Sequence, residues 1–235
     1  MSTGSTASVK TQPKRKSVWG WLAGLTIGNA FGFIWWSIAV IAFAILVEWI
    51  GMVFFWEPNH SQNILELEMS YLGSYSRNLI TGIYPAELGT AFIDSANAFV
   101  EFIHLRSLSE SLAGGVESAV GQAASYGIDA VINVIFIFAV RSAICLSALS
   151  GFLLVAMVAF VDGMVERDIR RACGGIESAM VYHHAKRMVK PLLFLSFGGY
   201  LTMPISIHPT LVFLPVMAVF GISIFTAART FKKFV

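Results

Sequence analysis

The chain of 235 residues is 56% hydrophobic and only 13% charged, with a mean hydropathy of +0.71. This lies outside the range of ordinary soluble domains and is the composition of an integral membrane protein. A net charge of +2 and a pI near 8.6 are too mild to argue for nucleic acid, so the information lies in where the charges fall. Two cysteines, Cys145 in an apolar run and Cys173 beside basic residues, give no basis for a disulfide framework.

The first dozen residues, MSTGSTASVKTQ, are small and polar and read as a disordered tail. Lys10, Lys14, Arg15 and Lys16 then precede an apolar stretch far longer than a signal-peptide core, with no small-residue cleavage site after it, so a retained signal anchor is expected. Its opening, GWLAGLTIGNAFGF, places Gly20, Gly24, Gly28 and Gly32 four apart. That spacing keeps them near one helix face and leaves a groove where another backbone can approach closely, the small-xxx-small pattern of helix contacts in lipid. The groove serves either packing against other spans of the same chain or contact between chains.

From Trp19 to Phe55 a helix would reach roughly 55 Å, well beyond a hydrocarbon core of about 30 Å. The membrane part is expected near residues 29–50, with Trp35 and Trp36 toward one interface and Trp49 and Trp56 toward the other. Residues 57–130 then carry nine acids (Glu57, Glu66, Glu68, Glu87, Asp94, Glu101, Glu110, Glu117 and Asp129) against Arg77 and Arg106. Ser61 before NILELEMSYL, and Pro85 before a run with Leu88, Phe92, Phe99 and Ile103 at helical spacing, predict a small helical cap.

Val131 to Val161 is a second apolar block, read as one long span although Arg141 interrupts it. An arginine inside a span marks a functional site by default, unless it snorkels to headgroups. If it is paired, Glu48 is the nearest candidate by depth and Asp129 the next. Leu192 to Ile207 and Leu211 to Ala228 are read as a third and fourth span around Pro204-Ile-Ser-Ile-His208-Pro209, or as a re-entrant pair.

Lys and Arg orient these spans. Four lie in the N-terminal tail, six in residues 162–190 (Arg167, Arg170, Arg171, Lys186, Arg187, Lys190) and three at the end (Arg229, Lys232, Lys233), out of 16 in the chain. By the positive-inside rule those segments are cytoplasmic. The expected fold is therefore all-α, with four transmembrane helices, both termini cytoplasmic, a helical periplasmic cap and a basic cytoplasmic helical hairpin turning at Gly174-Gly175. In that hairpin Glu166 and Arg170 are four apart, and Arg167, Arg170 and Arg171 share one face, as Lys186, Arg187 and Lys190 do on the second arm. Such ridges fit anionic headgroups, each base contributing about 1 kcal/mol, or a protein partner. Direct DNA binding is not expected: Asp162, Glu166, Asp168 and Glu177 interleave with the bases, and no nucleic-acid motif occurs.

The runs VDGMVERDIRR…ESAMVYHHAKRMVKPLL, SIHPTLVFLP and FKKFV resemble a membrane protein family of integrative conjugative elements, encoded beside the coupling ATPase of conjugative type IV secretion systems. The resemblance covers residues 161–235. It implies the inner membrane of a bacterium and conjugative DNA transfer, and it brings no catalytic residues with it.

Nothing in the motifs points to catalysis or to a cofactor. Adjacent His183 and His184 point about 100° apart on a helix and cannot chelate one ion as an i, i+4 pair does; HExxH, CxxC, GxxxxGK[ST] and GxSxG are all missing. The expected function is an accessory scaffold of the transfer apparatus that docks the coupling ATPase or channel subunits, its glycine-lined first helix packing against itself, as in a homo-oligomer, or against a partner span. The alternatives are a homo-oligomeric pore with Arg141 lining a polar path, an exclusion factor, or a membrane enzyme.

Overall fold

The computed structural model describes residues 18–115, 119–174 and 179–231, with side chains described over 31–114, 120–174 and 180–231. Among them there are seven helices and no strand: α1 Val18–Phe54, α2 His60–Ser74, α3 Pro85–Phe102, α4 Leu105–Gly115, α5 Ala119–Ala172, α6 Ala179–Thr202 and α7 Pro209–Arg229. The basic tail to Ser17, Glu177 and the final Lys232 and Lys233 lie outside the described residues.

The chain divides into a first unit ending at Ala39 and a second beginning at Val40. In the first, Phe31, Phe33, Ile34 and Trp35 are exposed, and the Phe33 and Trp36 rings lie 6.0 Å apart. Gly32 has open space where a Cβ would stand. Gly20, Gly24 and Gly28 fall in α1, but their packing lies outside the described residues.

Among the described residues three helices are long and apolar enough to cross a membrane: Phe31–Phe54, Val120–Ala172 and Pro209–Arg229. The expected count of four is corrected to three. The run from Leu192 to Ile207 fails because α6 ends at Thr202 and its first half carries His183, His184, Lys186, Arg187 and Lys190. Only the stretch after Pro191 is apolar, about 18 Å of helix.

α5 has two unlike halves. From Ala130 to Ile144 it is largely buried, through Ile132, Ile135, Ala139, Val140 and Ala143, because α2, α3 and α4 pack around it. From Leu146 onward Leu149, Leu153, Met157, Val158 and Phe160 are exposed. The apolar block therefore serves two environments, the first a protein core around Arg141 and the second an outward-facing belt.

α7 lies beside that second half and runs parallel to it. A Cβ on Gly151 would meet Met217, one on Gly221 would meet Val155, and one on Gly163 would stand 2.7 Å from Ala228 Cβ and the Phe225 carbonyl. The absence of side chains at Gly163 and Gly221 is what lets the two backbones approach so closely. α6 returns antiparallel alongside α7, with Tyr182 near Phe231 at one end and Tyr200 near Phe213 at the other. Buried Phe152 centres this three-helix contact, 5.4 Å from Phe197 and 5.3 Å from Phe220.

In the cap, α2 and α3 start where Ser61 and Pro85 predict, within a residue. The buried face of α3 differs from the predicted stripe: Gly89, Ala96 and Val100 face inward, while Phe99 and Ile103 are exposed and Phe92 is partly buried. Small side chains let α3 lie close on its neighbours, and the space over Gly89 is filled by Leu72 of α2.

Candidate functional site: a buried arginine junction and a basic end

α2 buries a stripe of Ser61, Ile64, Glu68 and Leu72, three or four apart, so one carboxylate faces the core. Opposite it, Arg141 of α5 is 2% exposed and Glu68 is fully buried. Arg141 Nε–H and Nη2–H donate to Glu68 Oε1 at 3.0 and 2.8 Å. The Tyr200 hydroxyl of α6 donates to Oε2 at 2.6 Å and the Ser206 hydroxyl to Oε1 at 3.2 Å. Remaining guanidinium hydrogens go to the Met203 carbonyl and, at 3.0 Å, to the Ile205 carbonyl, and the Tyr200 ring stands 5.3 Å from Cζ. His60, stacked on Trp56, meets the Pro204 carbonyl at 3.0 Å; a carbonyl only accepts, so Nε2 carries the hydrogen.

The α6–α7 loop is thus held by three of its own carbonyls and a serine. A buried charge pair is tolerated only when its remaining donors and acceptors are also satisfied, and here both carboxylate oxygens and all three guanidinium nitrogens have partners. Chemically the cluster is a structural junction that ties α2, α5, α6 and the α6–α7 loop together.

Neither partner expected for Arg141 is the real one. Glu48 is buried and lines the same small cavity of about 30 Å³ as Arg141, yet its Oε1 has no hydrogen-bond partner. Asp129 accepts from Ser109 at 2.6 Å and so joins α5 to α4. Sequence reasoning counted Glu68 only among the loop's acids. The signal that could have found it was its register, on the stripe shared by Ile64 and Leu72.

Beside the junction, a cavity of about 270 Å³ is lined by Tyr75, Asn78, Ser147, Ser150, Thr210 and Met217 among others. Burial raises the Tyr75 phenol above its ordinary pKa, and its oxygen lies 3.4 Å from Thr210 Oγ1.

At the far end, the arms of the predicted basic hairpin flank the end of α7 instead of projecting as one ridge. Gly174 turns with φ +70°, as its glycine predicts; Gly175 lies outside the described residues. Arg167 is 7% exposed, its guanidinium 5.4 Å from the Phe231 ring. Arg170 donates to the Arg229 carbonyl at 3.2 Å, and Glu166, expected to support Arg170, pairs with Arg229 at 3.3 Å. These cations complement the C-terminal carbonyls of α7. Arg171, Lys186, Arg187 and Lys190 are exposed, with Lys186 over Tyr182 at 5.7 Å. Among the described residues no group of His, Cys, Asp and Glu is arranged to hold a metal ion.

No curated protein and no solved structure matches the chain. A family model does, over residues 55–232, which takes in the cap, the arginine junction and the basic end together. By that match the chain belongs to the DtrJ-like family, described as IncC plasmid conjugative DNA transfer protein DtrJ-like.

Proposed function

We propose that the protein is an inner-membrane accessory subunit of a conjugative type IV secretion apparatus and acts by assembly, not catalysis. Family membership supports the process, and three apolar helices support the location in a membrane. The observation that carries the docking role is the exposed row of Lys186, Arg187 and Lys190 on the first half of α6. Lys186, Arg187 and Lys190 are exposed, unlike buried Arg167, so they can meet an acidic surface of the coupling ATPase or a channel subunit, or anionic headgroups. On this reading both termini and the α5–α6 turn are cytoplasmic and the cap is periplasmic, which requires α6 to return through the membrane beside α7 although it is not itself one of the three long apolar helices.

The pore reading loses its main support, because Arg141 is bonded to Glu68 and buried instead of lining a polar path. Affinity purification of the tagged protein from native host membranes in mild detergent, with mass spectrometry and native mass, tests the proposal. Recovery of coupling ATPase or channel subunits, lost when Lys186, Arg187 and Lys190 are changed to Glu, is the expected outcome. A clean homo-oligomer alone, together with conductance in liposomes, would overturn it.

A further inference from the structure

The loop between α2 and α3 is built with care around an exposed leucine. Asn78 Oδ1 accepts from the Ile80 and Thr81 amides, Asn78 N–H donates to the Ile83 carbonyl, and the Gly82 amide donates to the Asn78 carbonyl. Gly82 takes φ +69°, a conformation that favours glycine, and Arg77 donates to its carbonyl. What this turn presents outward is Leu79, 91% exposed, with Ile80, Ile83 and Tyr84 also exposed. A turn with its backbone groups paired does not need an apolar tip, so the tip needs another explanation.

Its position supplies one. The Asn78 side-chain amide donates to the Ser147 carbonyl at 3.1 Å and to Ser150 Oγ at 2.7 Å, and neighbouring Tyr75 reaches Thr210. Those contacts fix the loop at the level where α7 begins and where α5 changes from a buried helix to one with Leu149 and Leu153 exposed. α7 from Pro209 to Arg229 is about 31 Å long, the thickness of a hydrocarbon core, and presents Leu211 and Leu214 at that same end. An apolar tip flanked by a basic residue, Arg77, and an aromatic one, Tyr84, is the composition of a segment seated at a membrane interface.

We propose that this loop dips Leu79 and Ile80 into the headgroup and upper acyl layer of the bilayer, fixing the depth at which the cap rides on the membrane. The proposal rests on α7 crossing the bilayer. It places Arg141, six residues before Ser147 and so about 9 Å further along α5, outside the hydrocarbon, where a buried ion pair is shielded by protein.

The test is a single-cysteine probe in a Cys145→Ala, Cys173→Ser background. Leu79→Cys carries an environment-sensitive fluorophore, and the protein is reconstituted in phosphatidylcholine–phosphatidylglycerol vesicles containing acyl chains spin-labelled either near the headgroup or near the chain end. The expected result is blue-shifted emission, quenched more by the shallow label than by the deep one, while Leu108→Cys in α4 is quenched by neither. Ile83→Cys carries the same expectation if the first variant fails to fold. Emission at Leu79 matching that at Leu108 would overturn the proposal, as would quenching absent from vesicles while a blue shift appears with rising protein concentration, the mark of a second copy covering the loop. Val219→Cys in α7 separates the premise: if it escapes the deep label, the crossing of α7 and the proposal fall together, whereas deep quenching there beside an unquenched Leu79 sinks the loop alone.

Discussion

Arg141 and Glu68 meet across 73 residues of sequence, and the Glu68 carboxylate is shared with Tyr200 and Ser206, so three helices and the α6–α7 loop converge on one buried anion. The pair joins the cap, through α2, to the three helices beneath it. Each of the following expectations tests a part of that arrangement or of the close helix contacts below it.

Removing one member of the pair leaves an uncompensated charge in the interior, which typically costs about 3 to 5 kcal/mol. Glu68→Gln and Arg141→Gln are each expected to lower the stability of the detergent-solubilised protein strongly. The double variant Glu68→Gln with Arg141→Gln is expected to be more stable than the sum of the two single losses predicts. Thermal unfolding of the single and double variants checks this, and strict additivity would refute the coupling.

Glu48 and Glu68 are both buried glutamates, with opposite expectations. Glu48 Oε1 has no partner and the carboxylate is bonded to the Ser61 backbone, so Glu48→Met gives up that bond while removing an unsatisfied oxygen, and is expected to change stability by about 1.5 kcal/mol at most. Glu68→Met removes the acceptor of four hydrogen bonds and is expected to be the far more damaging change. Equal losses in the same unfolding assay would mean that Glu48 has a polar role the bonding pattern does not contain.

Tyr200→Phe keeps the ring beside Arg141 and removes only the hydroxyl donor to Glu68. A hydrogen bond to a charged group is worth about 1.5 to 3 kcal/mol, so a loss in that range is expected. No change in unfolding would show that the hydroxyl is replaceable by water.

Two glycines separate packing within the chain from contact between chains. Gly163→Val would drive a side chain against the Phe225 carbonyl and Ala228 and is expected to disrupt the α5–α7 contact and the monomer's folding. Gly32→Leu meets nothing within 4 Å, so the monomer is expected to fold normally. Native mass of the Gly32→Leu protein then decides the role of the glycine face: loss of an oligomer seen in the parent assigns it to contact between chains.

The membrane class, the long first helix, the two cap helices opened by Ser61 and Pro85 and the glycine turn at Gly174 were all legible in order along the chain, because each follows from local periodicity, hydropathy or backbone freedom. Family resemblance was legible in residues 161–235, and the family match proves to reach back to residue 55. Pairing and environment were not legible. Hydropathy gives the same value to Ile135 against a protein core and Leu153 on an open face, so the apolar block of α5 read as one span when half of it is the core of the cap. Charge spacing put Arg141 near Glu48 by depth along single helices, but which carboxylate it meets depends on the packing of α2 against α5 and on the α6–α7 loop, whose carbonyls complete the arginine's bonds. Likewise Arg167 and Lys186 are equivalent bases in sequence, and only the placement of Phe231 makes one buried and leaves the other exposed. Local propensity is a property of neighbouring residues, whereas burial and partner choice are properties of surfaces brought together from distant parts of the chain. For that reason the sequence by itself determined the helices, and only the tertiary structure decided which of their charges are bound and which are free.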